Sequence, residues 1–218
     1  MKKGVLSLIV SLLAMSLFAA SETVNGIRWS YKISNKQAQI DRGSDSAAIP
    51  LSTTGEITIP STLGGCPVTS IGASAFRNCS SLTAVTIPEG VLSIEASAFR
   101  SCHGLTSITI PSSVTSIGRE AFIFCSGLTS LTISEGVTSI NLYAFNYCSS
   151  LVSVTIPSSI KDFDAAFQYC YNLTSVTISE GVTSIGYDAF YHCSSLTSVT
   201  IPSSVTTIGV GLLNVVRV

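Results

Sequence analysis

The sequence predicts a β-rich solenoid, in which short coils stack along one axis and share a continuous core. Three registers of residues predict it. Phe recurs six times at intervals of 23 residues, with one interval of 22; a Cys follows each Phe by three residues, and a Leu follows each Cys by three. The phenylalanines that define the period are Phe76, Phe99, Phe122, Phe145, Phe167 and Phe190. A fixed period of this length is the signature of a repeat architecture.

Each repeat is predicted to contain two short extended segments and a sharp bend. In the coil that begins at Cys102, Ile108 and Ile110 flank a polar residue in the period-two pattern of a strand, and Pro111 ends that strand. A second apolar segment reaches Ile117, and the glycine after it permits a bend before an Ala-Phe pair turns inward. One coil cannot bury its apolar side alone, so the coils must stack.

The repeat unit has the frame L-x-x-[IV]-x-I-P-x-x-[IV]-x-x-I-G-x-x-A-F-x-x-C. This frame resembles the BspA-like class of leucine-rich repeats, and the match extends from Gly55 to about Ile208. The resemblance implies a right-handed arc of leucine-rich-repeat coils. It also implies an exported or surface protein, often of a host-associated microbe, in a family with some members that bind matrix proteins or other cells.

Residues 1–19 are predicted to be a signal peptide. Lys2 and Lys3 precede an uncharged apolar stretch from Val5 to Phe18, and small residues follow from Ala19. This stretch is short for a transmembrane helix. The alternative, a buried N-terminal helix, fits these flanking residues less well. We therefore expect a secreted or cell-surface protein that has no membrane insertion after cleavage.

Residues 20–54 are predicted to form an N-terminal hairpin cap and a loop, before a solenoid that spans residues 55–218. Ile27, Trp29, Tyr31 and Ile33 alternate with polar residues up to a turn signal at 34–36. A hairpin here would cover the open strand edge of the first coil. The alternative for Trp29 is a ligand-binding role, and the loop is expected at 41–54.

Two irregularities interrupt the repeat. In the 22-residue interval one residue is missing before Ala166, and Asp164 stands where the glycine would be, so a locally tightened coil is expected. Asp162 and Asp164 suggest solvated carboxylates rather than a metal site. At the C-terminus, an apolar pair at 212–213 replaces Ala-Phe and Val216 replaces Cys, so this half-coil either caps itself or leaves an open edge.

The cysteines and histidines do not predict catalysis. Six cysteines share one inward register, which favours a ladder of buried thiols over disulfides, although an exported chain permits disulfides. Cys66 lies outside this register. His103 and His192 each adjoin a ladder cysteine, but adjacent residues in an extended turn point apart. We predict no enzyme activity, no catalytic residue, no cofactor and no metal.

The low charge of the chain excludes partners whose binding requires a strongly charged protein surface. Only 11% of the residues are charged, against 46% hydrophobic, and the formal net charge is −1. No basic field attracts nucleic acid or an anionic membrane. We therefore expect an extracellular protein or glycan as partner, including host matrix. The alternative function is a structural spacer or a component of a larger surface assembly.

One repeat position carries candidate binding residues. The residue before each ladder cysteine is aromatic from the third repeat onward, and other tyrosines lie on the same side of the repeat. The predicted ligand-binding surface is Phe124, Tyr147, Tyr169, His192, Tyr143 and Tyr191. The alternatives are that these rings only cover the flank of the core, and that the ligand binds the threonine-rich strand face.

The turn after the first strand alternates between two sequences. Glu-Gly turns at 89–90, 135–136 and 180–181 interleave with Ser-Ser turns at 112–113, 158–159 and 203–204. The duplicated unit is therefore a pair of coils. We expect the alternation to hold stacked glutamates about 10 Å apart, which weakens their repulsion.

Overall fold

The computed structural model describes residues 19–43 and 46–211. The predicted signal peptide, apart from Ala19, and the final half-coil lie outside these residues. Sixteen strands are formed within the described ranges. None of the described residues belongs to a helix with the length and apolar character needed to cross a membrane.

The first strand of each repeat joins one parallel sheet, here called the strand face. Neighbouring strands pair in register, so that Thr109 lies opposite Thr132 and Ile110 opposite Ile133. In sheet order its members are β14 (Ser175–Ile178), β13 (Ser153–Ile156), β11 (Ser130–Ile133), β9 (Ser107–Ile110), β7 (Leu82–Thr86) and β4 (Gly55–Thr58). The period-two pattern thus buries the isoleucines and exposes the threonines.

The second segment of each repeat forms another sheet. Its parallel strands are β6 (Cys66–Ile71), β8 (Ser93–Ile94), β10 (Ser116–Ile117) and β12 (Ser139–Ile140). A short strand, β5 (Thr62–Leu63), pairs antiparallel with β6.

The predicted N-terminal hairpin is present and extends this second sheet. Strands β2 (Ile27–Ser34) and β3 (Gln37–Ile40) pair antiparallel, and β3 pairs parallel with β6. A further strand, β1 (Ala20–Val24), pairs antiparallel with β2. The hairpin therefore covers the edge of the first coil, as expected for a cap.

Trp29 belongs to the cap. It is 1% exposed, and its ring meets the edge of Phe76 at a centroid distance of 6.1 Å and an interplanar angle of 79°. This burial excludes the alternative of a surface ligand-binding tryptophan. The described residues of the expected loop at 41–54 form no strand or helix, and part of this loop packs against the cap. Ala47, Ala48 and Ile49 are buried, and Ala48 donates its N–H to the carbonyl of Ala75, so this segment completes the cap.

The 22-residue coil interrupts the second sheet. Beyond β12 only an isolated bridge joins Ile140 to Phe163, and the sheet resumes as β15 (Ser184–Ile185) and β16 (Thr207–Ile208). Asp164, which replaces the glycine, accepts a hydrogen bond from the backbone N–H of Tyr187 at 3.0 Å. The coil that lacks one residue is therefore the coil at which the second sheet is interrupted.

A third hydrogen-bonded side, here called the turn flank, closes each coil. It comprises the residues around the Ala-Phe pair, 73–80 in the first repeat and their equivalents in later ones. Every second N–H donates to the next coil: Ser74 to Ala96, Phe76 to Ala98 and the residue at 78 to the residue at 100, at 2.7–3.0 Å. The flank therefore keeps the same coil spacing as the sheets.

The core is a set of parallel side-chain ladders. The six repeat phenylalanines are each 0% exposed, and consecutive rings stack with centroids 4.9–5.8 Å apart. All seven cysteines are free thiols, and the six in the repeat register are buried as predicted, while Cys66 is half-buried. Each thiol from the second repeat onward contacts the carbonyl of the Phe one coil before its own, as between Cys125 and Phe99 at 3.1 Å.

Candidate functional site

The turn flank carries four of the predicted binding residues as one stack, here called the aromatic column: Phe124, Tyr147, Tyr169 and His192. Consecutive ring centroids are 5.0, 4.4 and 5.1 Å apart, with interplanar angles of 28°, 2° and 17°. The backbone sets this spacing, because the N–H groups at 124, 147 and 169 each donate to the next coil at 2.8–3.0 Å. The structure thus brings together residues that the sequence separates by 22 or 23 positions.

The column residues have an unfavourable backbone conformation. Phe124, Tyr147, Tyr169 and His192 have φ angles of 62°, 58°, 58° and 59°, in the left-handed region. This region costs a residue other than glycine or asparagine about 1 kcal/mol. The first repeat has Asn78 at the equivalent position, with φ of 64°. The local backbone therefore favours asparagine or glycine, and it does not account for a run of aromatic residues.

Two further tyrosines pack edge-on against the column. Tyr191 meets Tyr169 at 5.7 Å and 87°, and meets His192 at 4.1 Å and 70°. Tyr171, which is 40% exposed, meets Tyr147 at 6.5 Å and Tyr169 at 6.2 Å. Tyr171 was not among the predicted binding residues. The sequence places it on the same side of the repeat, directly after the ladder cysteine, and the structure adds its contacts with the column.

An arginine covers the other end of the column. The guanidinium carbon of Arg100 lies 5.6 Å from the centroid of Phe124, within the range of a cation–π contact. The same guanidinium makes an ion pair of 2.6 Å with Glu120. Sequence reasoning missed Arg100, because its contacts are with the next coil.

Tyr143, also predicted as a binding residue, lies apart from the column. It has a φ angle of 63°, and Arg119 lies 5.5 Å above its ring. Among the aromatic contacts of the described residues, none joins Tyr143 to the column. The flank therefore has a main aromatic column and one separate arginine-covered ring.

The column is partly accessible to solvent. Phe124, Tyr147 and Tyr169 are half-buried, and His192 is exposed. Stacking and Arg100 cover the ring faces of Phe124, Tyr147 and Tyr169, so these three rings present mainly their edges to solvent. Desolvation, together with the neighbouring phenols of Tyr147, Tyr191 and Tyr171, raises the pKa of Tyr169. Its hydroxyl is thus protonated at neutral pH and can donate a hydrogen bond.

Buried amides accompany the column. Asn146 and Gln168, the residues directly before Tyr147 and Tyr169, are 6% and 8% exposed. The side-chain oxygen of Asn146 is buried without a hydrogen-bond partner among the described residues. Buried polar atoms of this kind are uncommon in folded proteins, and they concentrate at strained or functional places.

The strand face has a different chemistry. Its outward residues are exposed and uncharged at six successive positions: Thr86, Thr109, Thr132, Thr155, Thr177 and Thr200. The threonines directly before these strands, such as Thr106 and Thr129, donate their hydroxyls to carbonyls of the preceding coil at 3.0–3.1 Å. This face is a regular hydroxyl-bearing sheet with few contrasting features.

The repeat cysteines, which were considered as nucleophiles, are buried in the core. The Cys102 thiol contacts the carbonyl of Phe76 at 3.1 Å, and burial raises the pKa of Cys79 to about 12. Such thiols do not ionise near neutral pH and are poor nucleophiles. His103 contacts Ser126 at 3.2 Å on the exposed surface. In the described part of the chain, no three His, Cys, Asp or Glu side chains group as metal ligands.

The alternating turns contact each other directly, a contact that was not predicted from the sequence. Glu135 accepts hydrogen bonds from the backbone N–H groups of Ser158 and Ser159, both at 3.0 Å. Glu180 does the same for Ser203 and Ser204 at 3.0 and 3.1 Å. Each Glu-Gly turn therefore binds the Ser-Ser turn of the next coil, an arrangement here called the glutamate clamp. The coils therefore alternate in pairs for two physical reasons: these hydrogen bonds between turns, and the distance kept between the glutamate charges.

The three sides, the stacked phenylalanines and the in-register short strands define a leucine-rich-repeat solenoid. The chain belongs to the BspA-type leucine-rich-repeat family, since the model of the BspA type leucine rich repeat region matches six copies over residues 52–165 and 163–214. The resemblance expected from the repeat frame is thereby confirmed. A comparison with the curated proteins found no match.

Solved structures show the same fold. The leucine-rich repeat protein of T. pallidum is 29% identical, with a TM-score of 0.76, over 88% of this chain and 87% of that one. A leucine rich cell surface protein of Faecalibacterium prausnitzii A2-165 is 34% identical, with a TM-score of 0.71, over 89% of this chain and 52% of that one. A leucine-rich repeat protein of Eubacterium ventriosum is 27% identical, with a TM-score of 0.74, over 92% and 50%. This chain thus spans about half the length of the latter two.

Proposed function

We propose that the chain is an exported, non-catalytic binding module, whose extracellular protein or glycan ligand docks on the aromatic column. The observation that carries the proposal is the run of four stacked rings at positions with φ near +60°. Backbone preference does not select these rings. Residues that depart from local rules without a structural reason are typical of functional surfaces.

The composition of the column supports this role. Tyrosine and arginine are enriched among the residues that dominate binding energy at protein interfaces. Here Tyr147, Tyr169 and Tyr191 adjoin one another, and Arg100 covers the end of the stack. The rings are pre-ordered by their mutual contacts, so that little side-chain entropy remains to be lost on binding.

Export is supported from two directions. The first is the predicted signal peptide at residues 1–19, in which Lys2 and Lys3 precede an uncharged apolar stretch. A relative with 34% identity is described as a cell surface protein. We extend that location to this chain as part of the proposal.

A second candidate function is a structural spacer. The observation that favours it is the repeated backbone hydrogen bonds between coils, together with the glutamate clamps in alternate coils. A spacer needs stiffness and no ligand. The two functions differ in their dependence on the column, because substitution of exposed rings would leave a spacer unaffected.

Binding of the mature chain to arrays of extracellular proteins and of glycans tests the proposal. We expect the mature chain to capture at least one array component, and Tyr147→Ser with Tyr169→Ser to weaken that capture several-fold or more. Ser already occupies this position at Ser101 with φ of 60°, so the backbone accepts it. Tyr187→Ser is the matched control, since Tyr187 is 57% exposed and lies on the same flank. Equal capture by the double variant and the wild type would contradict a ligand site on the column.

A further inference from the structure

We infer that the column binds an extended acidic protein segment, which contacts the edges and hydroxyls of the rings. The inference rests on the proposed function and specifies its partner. Four features of the flank carry it: the covered ring faces, the exposed ring edges, the clustered phenols and the arginines at one end.

The inner ring faces of the column are occupied by other groups of the chain. Phe124, Tyr147, Tyr169 and His192 cover one another at 4.4–5.1 Å. Arg100 lies over Phe124 at the end of the stack. A sugar ring that packs its C–H groups on an aromatic side chain needs a free ring face. The stack leaves no inner face for such contact, so its geometry disfavours a glycan that binds by stacking.

The accessible parts of the column are electropositive. The edge of an aromatic ring carries the positive part of its quadrupole, and each protonated phenol adds a hydrogen-bond donor. The rings of Tyr147, Tyr171 and Tyr191 all contact that of Tyr169. Desolvation and these neighbouring phenols raise the pKa of Tyr169, so its hydroxyl remains a donor at neutral pH. Ring edges and donors together complement acceptors, namely carbonyl and carboxylate oxygens.

The arginines of the turn flank also favour an acidic ligand. Arg77 and Arg100 occupy the same position in successive repeats, and Arg119 lies one coil further along the flank. Arg77 is exposed, and the side chain of Arg119 is 60% exposed. Glu120 pairs with both Arg100 and Arg119. Glu95 accepts a hydrogen bond from the N–H of Ala73 on the same part of the flank, so three arginines face two carboxylates and the end next to Phe124 keeps a net positive charge. The later coils of the flank carry Asp164 and Asp188 instead, so the acidic residues of the segment are expected at the Phe124 end. A segment that follows the column toward this end therefore gains from carrying acidic residues.

The length of the column can accommodate a short extended segment. The ring centroids follow one another at 4.4–5.1 Å along the solenoid axis. An extended chain advances about 3.3 Å per residue. A short acidic stretch thus reaches from His192 past Phe124 to the arginines while presenting its carbonyl groups along the way.

Titration of the mature chain with four fluorescent probes tests the inference: oligo-glutamate, oligo-lysine, heparin and a neutral β-glucan. We expect the mature chain to bind oligo-glutamate in preference to the other three, with an affinity that falls as salt rises. Tyr147→Phe with Tyr169→Phe keeps the stack and removes two donors. This variant should bind oligo-glutamate about fivefold more weakly per hydroxyl, as the loss of one hydrogen bond predicts.

Arg77→Ser is the second variant, because Arg77 is exposed and lies outside the column. It should weaken the binding of oligo-glutamate and leave the unfolding midpoint of the chain unchanged. Failure of the wild type to bind oligo-glutamate, or equal binding by the Tyr→Phe variant, would overturn the inference. Binding of heparin or the glucan that is lost in Tyr147→Ser with Tyr169→Ser would also overturn it, while the proposed function would stand.

Discussion

At the scale of single residues, two aromatic positions in the same coil have opposite roles. Phe122 is 0% exposed in the core ladder, whereas Phe124, two residues later, is half-buried at the end of the aromatic column. The sequence predicts the first role, because an invariant Phe at a fixed period requires a buried position. The left-handed backbone at 124 was not predicted, although Asn78 at the equivalent position was a usable signal.

Truncation of a core ring should be strongly destabilising. Phe122→Ala removes a ring that stacks on Phe99 and Phe145 at 4.9 and 5.1 Å. We expect a loss of about 3–5 kcal/mol in the free energy of unfolding, from lost burial and the cavity that remains. Urea unfolding measures this, with the exposed Thr132→Ala as control. A loss below about 1 kcal/mol would place the Phe register outside the core.

The thiol ladder predicts a chain without disulfides. The six repeat cysteines are buried free thiols, each next to a backbone carbonyl of the preceding coil or stacked at the end of the ladder. Alkylation under denaturing, non-reducing conditions should therefore label six or seven thiols by intact mass, and a reductant should leave the melting temperature nearly unchanged. Detection of three disulfides would refute the ladder.

At the scale of elements, the sequence predicts the strands better than their connections. The period-two pattern predicts the strand that contains Ile108 and Ile110, and the alternation around Trp29 predicts the hairpin. The segment that includes Ala48 was missed as part of the cap, because its composition is that of a loop. The glutamate clamp was missed too, since it joins residues 23 or 24 positions apart through backbone groups.

The clamp predicts a specific dependence on pH. Backbone N–H groups of Ser158 and Ser159, with the hydroxyl of Ser158, hold the pKa of Glu135 below its usual range. The clamp therefore contributes stability above the unfolded pKa of about 4.3, and this contribution is lost as pH falls through the lowered folded pKa. The same signs apply to Glu180.

Glu135→Gln should consequently unfold at lower urea concentration than the wild type at neutral pH. The difference between the two midpoints should shrink as the pH is lowered below about 4.3. Chemical unfolding at several pH values measures it. Glu56→Gln is a suitable control, because Glu56 is exposed on the strand face and forms no clamp among the described residues. A difference that is independent of pH would mean that the clamp does not depend on the charge of Glu135.

At the scale of the whole molecule, a solenoid separates fold from function. The core ladders, the two sheets and the cap involve inward side chains and backbone groups, which repeat from coil to coil. The outward residues are free to vary, as Asn78, Ser101 and Tyr147 do at one position. Periodicity therefore predicts the fold well. It predicts the site less well, since contacts such as that between Arg100 and Phe124 require the register of neighbouring coils.

The affinity of two double variants for one captured ligand distinguishes a ligand site on the column from one on the strand face. Tyr147→Ser with Tyr169→Ser alters the column, and Thr132→Gln with Thr177→Gln alters the strand face without a change of charge, where both threonines are exposed. We predict that the first variant binds several-fold more weakly or worse, as interface aromatics often contribute about 2 kcal/mol, while the second binds like the wild type. Unchanged binding by the first variant and loss of binding by the second would contradict a ligand site on the column and assign the ligand to the strand face.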